Sequence, residues 1–117
     1  MTHDYQALAN DLNGALAKLH KEIPATMQGF SMMAKPALQE GALSAKDKEL
    51  IGLAIGIAGR CQGCLAFHTK ALVKLECSRA EFMEMLQIAV YMGGGPSLLT
   101  AGEALIAFES FGGEAAA

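Results

Sequence analysis

Along the 117 residues, apolar positions recur every three or four places, and the strict alternation of a half-buried strand is essentially absent. From Asp4 to about His20, Leu8, Leu12, Ala15, Leu16 and Leu19 fall at helical spacing and predict an amphipathic first helix. Pro24 suits the first turn of a second helix, with Phe30, Met33 and Ala34 on its apolar side. Pro36 is expected to break or kink that helix, because proline lacks the backbone donor and its ring crowds the preceding turn. Ala37 to Gly41 then predicts a short extra turn stopped by the glycine. Ser44-Ala45-Lys46-Asp47 has the form of a capping box, with Asp a shorter arm than Glu, and opens a central helix over 44–59. A further helix is expected from about Cys61 to Leu75, with a break at Glu76-Cys77. Ser78-Arg79-Ala80-Glu81 is a full capping box for a helix from Arg79 to Tyr91, which turns Phe82, Met85, Leu86, Ala89 and Val90 inward. Gly93-Gly94-Gly95-Pro96 punctuates the chain before a last helix to about Phe111, and the GGEAAA tail is expected to fray. The pattern is that of one all-α domain over 1–117, with six helices and short loops.

Composition changes this picture in one respect. With 52% hydrophobic and 18% charged residues, the chain is apolar for its size. A small domain has too much surface to hide so many apolar side chains, so the surplus is expected in subunit interfaces of a homo-oligomer. The net charge of -3 and the lack of a basic block argue against nucleic acid as a partner. The polar start MTHDYQALAND lacks the basic-then-apolar pattern of a signal. The longest apolar run, Leu50 to Gly59, is too short to span a bilayer. Three cysteines, two of them in a CxxC, do not form a secreted disulfide framework, so a cytoplasmic, reducing setting is expected.

The chemistry concentrates between Glu49 and His68, in ELIGLAIGIAGRCQGCLAFH. On a helix, at about 100° per residue, Cys61, Cys64 and His68 share an arc of roughly 60°. Two cysteines three apart on a helix have Cα atoms about 5 Å apart, within the range a disulfide needs. Gly52, Gly56 and Gly59 each cost up to about 1 kcal/mol of helix propensity relative to Ala. Their spacing predicts a groove into which another helix packs closely.

A CxxC at a helix start suits redox chemistry. Unpaired N–H groups of the first turn and the helix dipole favour a thiolate, which is the nucleophile. A second thiol one turn away condenses with a sulfenic acid and stops further oxidation. His68, one turn beyond Cys64, is placed to take or return a proton. If 44–59 and 61–75 form an antiparallel hairpin, Glu49 lies nearer His68 than Cys61, and a relay runs Glu49, His68, Cys64. Zinc is a competing reading: Cys61, Cys64, His68 and Cys77 are four ligand types, although a helical CxxC with one distant cysteine matches structural zinc spacings poorly. A c-type haem is excluded because Leu65, not histidine, follows Cys64. Cys77 reads as a small apolar residue and Met27, Met32, Met33, Met83, Met85 and Met92 as core or interface filler. His3 and His20 read as surface residues.

The stretch KDKELIGLAIGIAGRCQGCLAFHTKALVKLECSRAEFMEMLQIAVYMGGGPSLLTAGEAL resembles the carboxymuconolactone decarboxylase superfamily. Its Glu, CxxC, downstream His and YMGGGP, over about residues 40 to 108, match the alkylhydroperoxidase D-like branch in order and spacing. The resemblance implies an all-helical subunit assembled as a homotrimer or homohexamer. It implies a cysteine-dependent peroxidase or disulfide reductase with no metal or organic cofactor, acting on a small hydroperoxide or disulfide; a thiol or lipoyl-type reductant is expected to recharge it, but which one is not carried over from the family. By motif position, Cys64 resembles the peroxide-attacking cysteine, Cys61 the resolving one, and Glu49 and His68 the proton relay. The helix dipole alone favours Cys61 as the more acidic thiol. The best-studied alkylhydroperoxidase D subunits are longer and carry a second histidine where this chain has Gly63, and Tyr91 is a candidate for either pocket or core. The alternatives are a lyase like the family's namesake, which needs no CxxC, and a non-catalytic or zinc-binding assembly module.

Overall fold

The computed structural model describes residues 4–117, so His3 lies outside the described residues. Six helices and no strand are found among them: α1 (Tyr5–Glu22), α2 (Pro24–Leu38), α3 (Ala45–Ala58), α4 (Gln62–Lys74), α5 (Arg79–Gly93) and α6 (Gly95–Ser110). The all-α architecture is as expected. No helix among the described residues is long and apolar enough to cross a membrane.

The caps follow the sequence. The Asp4 carboxylate accepts from the Ala7 N–H, and the Ser44 hydroxyl accepts from the Asp47 N–H. At α5 the box closes both ways, the Ser78 hydroxyl accepting from the Glu81 N–H and the Glu81 carboxylate from the Ser78 N–H. Lys46 reaches from α3 to the same carboxylate at 2.7 Å. Three helices end alike. The N–H of Cys61 bonds the Gly56 carbonyl and that of Arg60 the Ile57 carbonyl; the same pair of bonds closes α4 at Cys77 and Glu76, and α6 at Gly113 and Gly112. The residue after each cap is left-handed: Arg60 at φ 53°, Glu76 at φ 60° and Gly112 at φ 85°.

α3, α4, α5 and α6 enclose the core, in which Leu53, Ile57, Leu65, Leu72, Phe82 and Phe108 are fully buried. Phe82 stacks on Phe108 with ring centroids 4.3 Å apart. α1 lies over α4 and α6 and inserts Tyr5 and Ala9, while the Leu16 and Leu19 half of its stripe stays exposed.

Two expectations, at Pro36 and at the glycine run, are corrected. Pro36 does not end α2, and no separate turn forms over Ala37 to Gly41; the helix continues to Leu38, where the Gln39 N–H bonds the Lys35 carbonyl. A proline this near a C-terminus removes one ladder bond of a turn that ends anyway. The apolar side of α2 is not buried in the subunit: α2 has no buried residue, and Phe30 and Met33 are each 62% exposed. The glycine run costs one residue of helix, not four. α5 extends to Gly93 and α6 begins at Gly95, with the reversal made by Gly94 alone at φ 73°.

Candidate functional site

The site is built by the reversal between α3 and α4. Gly59 caps α3 in a helical conformation, Arg60 turns left-handed, and Cys61 is extended at φ -95° and ψ 98°. Cys61 is therefore the N-cap of α4, its sulfur accepting from the Cys64 N–H at 3.1 Å. Cys61 and Cys64 form a disulfide with Cα atoms 5.2 Å apart. So short a turn returns α4 antiparallel along α3, as the hairpin expectation required.

That register brings His68 to Glu49 within one chain, with His68 Nδ1 2.6 Å from Glu49 Oε1. Both side chains are shielded, Glu49 at 12% and His68 at 26% exposure. An ionised carboxylate only accepts, so Nδ1 carries the proton, and Nε2 is the nitrogen left for exchange. α3 presents no side chain to α4 at the two places where the site residues lie. A Cβ on Gly52 would sit 3.4 Å from His68 Cε1, and one on Gly56 would sit 2.7 Å from Cys64 Cβ. The expected glycine groove holds at these two positions. At Gly59 a Cβ would meet only carbonyls of its own helix, the nearer at 3.5 Å, so this glycine packs against no other helix.

A second polar group, missed in the sequence, lies at the start of α4. Glu103 Oε1 accepts from the Tyr5 hydroxyl at 3.2 Å and from Gln62 Nε2 at 3.4 Å, tying α1, α4 and α6 together next to Cys61. Tyr5 is fully buried. Burial first, then the Glu103 carboxylate, pushes its hydroxyl up to about 12. α1 also crosses the CxxC itself: a Cβ on Gly63 would lie 3.2 Å from Leu12 Cδ1. A histidine at this place, as in the best-studied subunits of the branch resembled, would need Leu12 to move. The nearest sequence signal of this crossing is Gly63 itself, which has no Cβ to meet Leu12.

The remaining candidates do not join the site. Cys77 is buried, its thiol within 3.5 Å of the Ser78 carbonyl, and burial pushes it up to about 11. It does not join Cys61, Cys64 and His68: among the described residues no group of three or more His, Cys, Asp or Glu could hold a metal ion. Tyr91 is neither site nor core, being 85% exposed beside a groove between α5 and α6. His20 is exposed, as expected.

A profile of the Carboxymuconolactone decarboxylase family matches residues 24–107. The chain belongs to this family. The crystal structure of the apo form of a carboxymuconolactone decarboxylase family protein from Legionella pneumophila superimposes with a TM-score of 0.91 at 49% identity, covering 94% of this chain and 98% of that one. An uncharacterized protein from Cupriavidus necator is 34% identical over 110 residues, 94% of this chain and 97% of its own. Uncharacterized protein 4 in the cox locus of Paracoccus denitrificans is 26% identical over 84 residues, 72% of this chain and 76% of its own. The family match runs from the start of α2 to residue 107 within α6, hence over the whole α3–α4 hairpin with its disulfide, histidine and carboxylate.

Proposed function

We propose that this family member is a thiol oxidoreductase that cycles Cys61 and Cys64 between dithiol and disulfide while reducing a small hydroperoxide or a disulfide. The observation that carries this reading is the juxtaposition of a Cys61–Cys64 disulfide with a Glu49–His68 pair on the same helical hairpin. With a hydroperoxide, the Cys64 thiolate attacks the outer peroxide oxygen and the O–O bond breaks. The alcohol leaves with a proton supplied through His68, and Cys64 becomes a sulfenic acid. The Cys61 thiolate then attacks the Cys64 sulfur, the S–S bond forms as the S–O bond breaks, and the hydroxide leaves as water with a second proton supplied through His68. Two electrons have passed from the dithiol to the peroxide. An external thiol or lipoyl-type dithiol restores Cys61 and Cys64 and is itself oxidised to a disulfide. Glu49 holds His68 in one tautomer and orientation throughout.

The test is the intact mass of the reduced, denatured protein after one equivalent of a small hydroperoxide. Loss of two hydrogens, mapped to Cys61 and Cys64, is the expected result, and unchanged thiols refute the peroxidase. The family's name keeps a lyase in view: replacing both cysteines by serine abolishes the redox cycle and spares a decarboxylase.

We also propose that the working unit is a homo-oligomer. Around a groove between α3 and α5, Ile51, Ile55, Ile88 and Met92 are 49%, 68%, 63% and 76% exposed, and α2 buries no residue. Contiguous apolar surface of this kind marks an interface. A monomeric mass by light scattering at micromolar concentration refutes this.

A further inference from the structure

The two glycines under the site do more than allow two helices to approach. Along α3, Gly52 and Gly56 are one turn apart; along α4, running the other way, His68 and Cys64 are one turn apart. Each glycine therefore faces one reacting residue. Gly56 touches both ends of the disulfide: its carbonyl accepts the Cys61 N–H at 2.9 Å, and its Cα face lies against Cys64, whose Cβ would be 2.7 Å from any Cβ placed there. Both atoms in that contact are rooted in backbone, so neither can rotate away, and a methyl at 56 has to move α4 against α3. At Gly52 the neighbour is the end of a rotatable ring, with Cε1, Nδ1 and Nε2 of His68 at 3.4, 3.6 and 3.7 Å from a placed Cβ. A methyl there meets ordinary contact, whereas a branched side chain drives the imidazole off Glu49.

We propose that Gly56 and Gly52 are separate positioning residues of the redox site, Gly56 setting the Cys61–Cys64 dithiol–disulfide equilibrium and Gly52 setting the rate of exchange through His68. This rests on the redox function proposed above. The spacing of the two sulfurs determines how readily they pair, so displacing Cys64 while Cys61 stays bonded to the Gly56 carbonyl moves the equilibrium constant. Displacing His68 leaves both sulfurs where they are and removes only the proton transfer, which changes a rate and not an equilibrium.

The experiment exchanges the full-length protein with oxidised dithiothreitol, acid-quenched and read by mass, giving equilibrium constant and rate together. Gly56→Ala is expected to shift the equilibrium by about fivefold or more, the scale of effect that misplacing a reacting group produces. Gly52→Val is expected to leave the equilibrium within about twofold and slow exchange by about tenfold, with Gly52→Ala near wild type, as loss of one proton-transfer group at its weaker end. Gly59→Ala, whose Cβ would meet only the Ile55 and Gly56 carbonyls at 3.5 and 3.8 Å, changes neither. Folded Gly56→Ala with a wild-type equilibrium overturns the assignment of Gly56. Gly52→Val overturns that of Gly52 if it exchanges at the wild-type rate or shifts the equilibrium as far as Gly56→Ala does.

If Gly56→Ala does not fold, Gly56→Ala/Cys64→Gly removes the opposing Cβ. Recovery of the Cys64→Gly melting temperature supports the contact, and failure to recover it refutes the contact. No peroxide enters this experiment. A wild type that exchanges with dithiothreitol but ignores hydroperoxide therefore sinks the peroxidase and still judges the glycines.

Discussion

Replacing Glu49 by Gln tests whether the carboxylate acts through His68 or merely stabilises α3. The substitution keeps shape and one acceptor oxygen but removes the charge 2.6 Å from His68 Nδ1, and an amide can donate to that nitrogen as readily as accept from it. Both tautomers of His68 then become available. A hydrogen bond to a charged group contributes about 1.5–3 kcal/mol. Glu49 is 12% exposed, so water replaces little of what is lost, whereas His68 at 26% exposure recovers part by solvation. A middle value of about 2 kcal/mol corresponds to roughly a 30-fold loss in the rate of peroxide-driven disulfide formation. The assay is single-turnover oxidation of the reduced protein, quenched with an alkylating agent and read by mass. The decisive comparison is the double variant with His68→Asn. A carboxylate that works only by orienting His68 adds nothing once the imidazole is gone, so Glu49→Gln/His68→Asn should react no more slowly than His68→Asn alone. Rates that multiply would refute the relay, as would a Glu49→Gln protein that oxidises at the wild-type rate.

Other predictions follow from groups outside the disulfide. The Glu81 carboxylate, held by its bond to Lys46 and by the Ser78 backbone, lies at about 2, below the ordinary 4.5. A lowered folded value stabilises above 4.5 and is lost as pH falls toward 2, so the stability gap between wild type and Glu81→Gln, measured by urea unfolding, should be full at pH 7 and close across that window. Tyr5, raised from 10 to about 12, contributes stability below pH 10 that is lost as pH rises through 12; in Tyr91→Phe protein, tyrosinate absorbance should appear near pH 12 or abruptly with alkaline unfolding. Tyr5→Phe should cost about 1.5 kcal/mol through the lost bond to Glu103. With its thiol pushed up to about 11, Cys77 should resist iodoacetamide at pH 8 in the reduced native protein, while Cys61 and Cys64 are labelled and mapped. Glu76→Gly, at φ 60° and remote from the site, should raise stability by about 0.5–1 kcal/mol in thermal melts, since glycine takes this conformation without strain.

What could be read from the chain alone is local. Ser44 and Ser78 are helix starts because a hydroxyl three residues before an acidic residue satisfies end groups whatever the rest of the fold does. The pairing of Glu49 with His68 was legible for a similar reason: a turn of only three residues, Gly59 to Cys61, leaves the two helices little choice but to run antiparallel, and the register follows. Pro36 is tolerated because it stands two residues from the helix end, where the constraint on helix interiors no longer holds.

What the pattern could not carry is tertiary. Tyr5 and Glu103 are 98 positions apart, and no periodicity in either helix says that their side chains meet beside Cys61. The stripe on α2 predicts a helix but is silent on what lies against Phe30 and Met33, because amphipathicity records that a face is apolar and not which surface covers it. The left-handed residue of the critical turn was equally hidden. Glycine is favoured there, yet Gly59 stands one place early at φ -81° and Arg60 adopts φ 53°, its guanidinium bonding the Ala58 carbonyl at 3.2 Å. The glycines of α3 mark the boundary between the two kinds of information. Their four-residue spacing announced a close approach, and the CxxCxxxH announced two reactive residues at the same spacing. Only the turn between them determines that Gly52 faces His68 and Gly56 faces Cys64. One residue more or fewer between Gly56 and Cys61 would rotate the cysteine and the histidine by about 100° off those glycines. The length of the turn is therefore as much a part of the site as the sulfurs are.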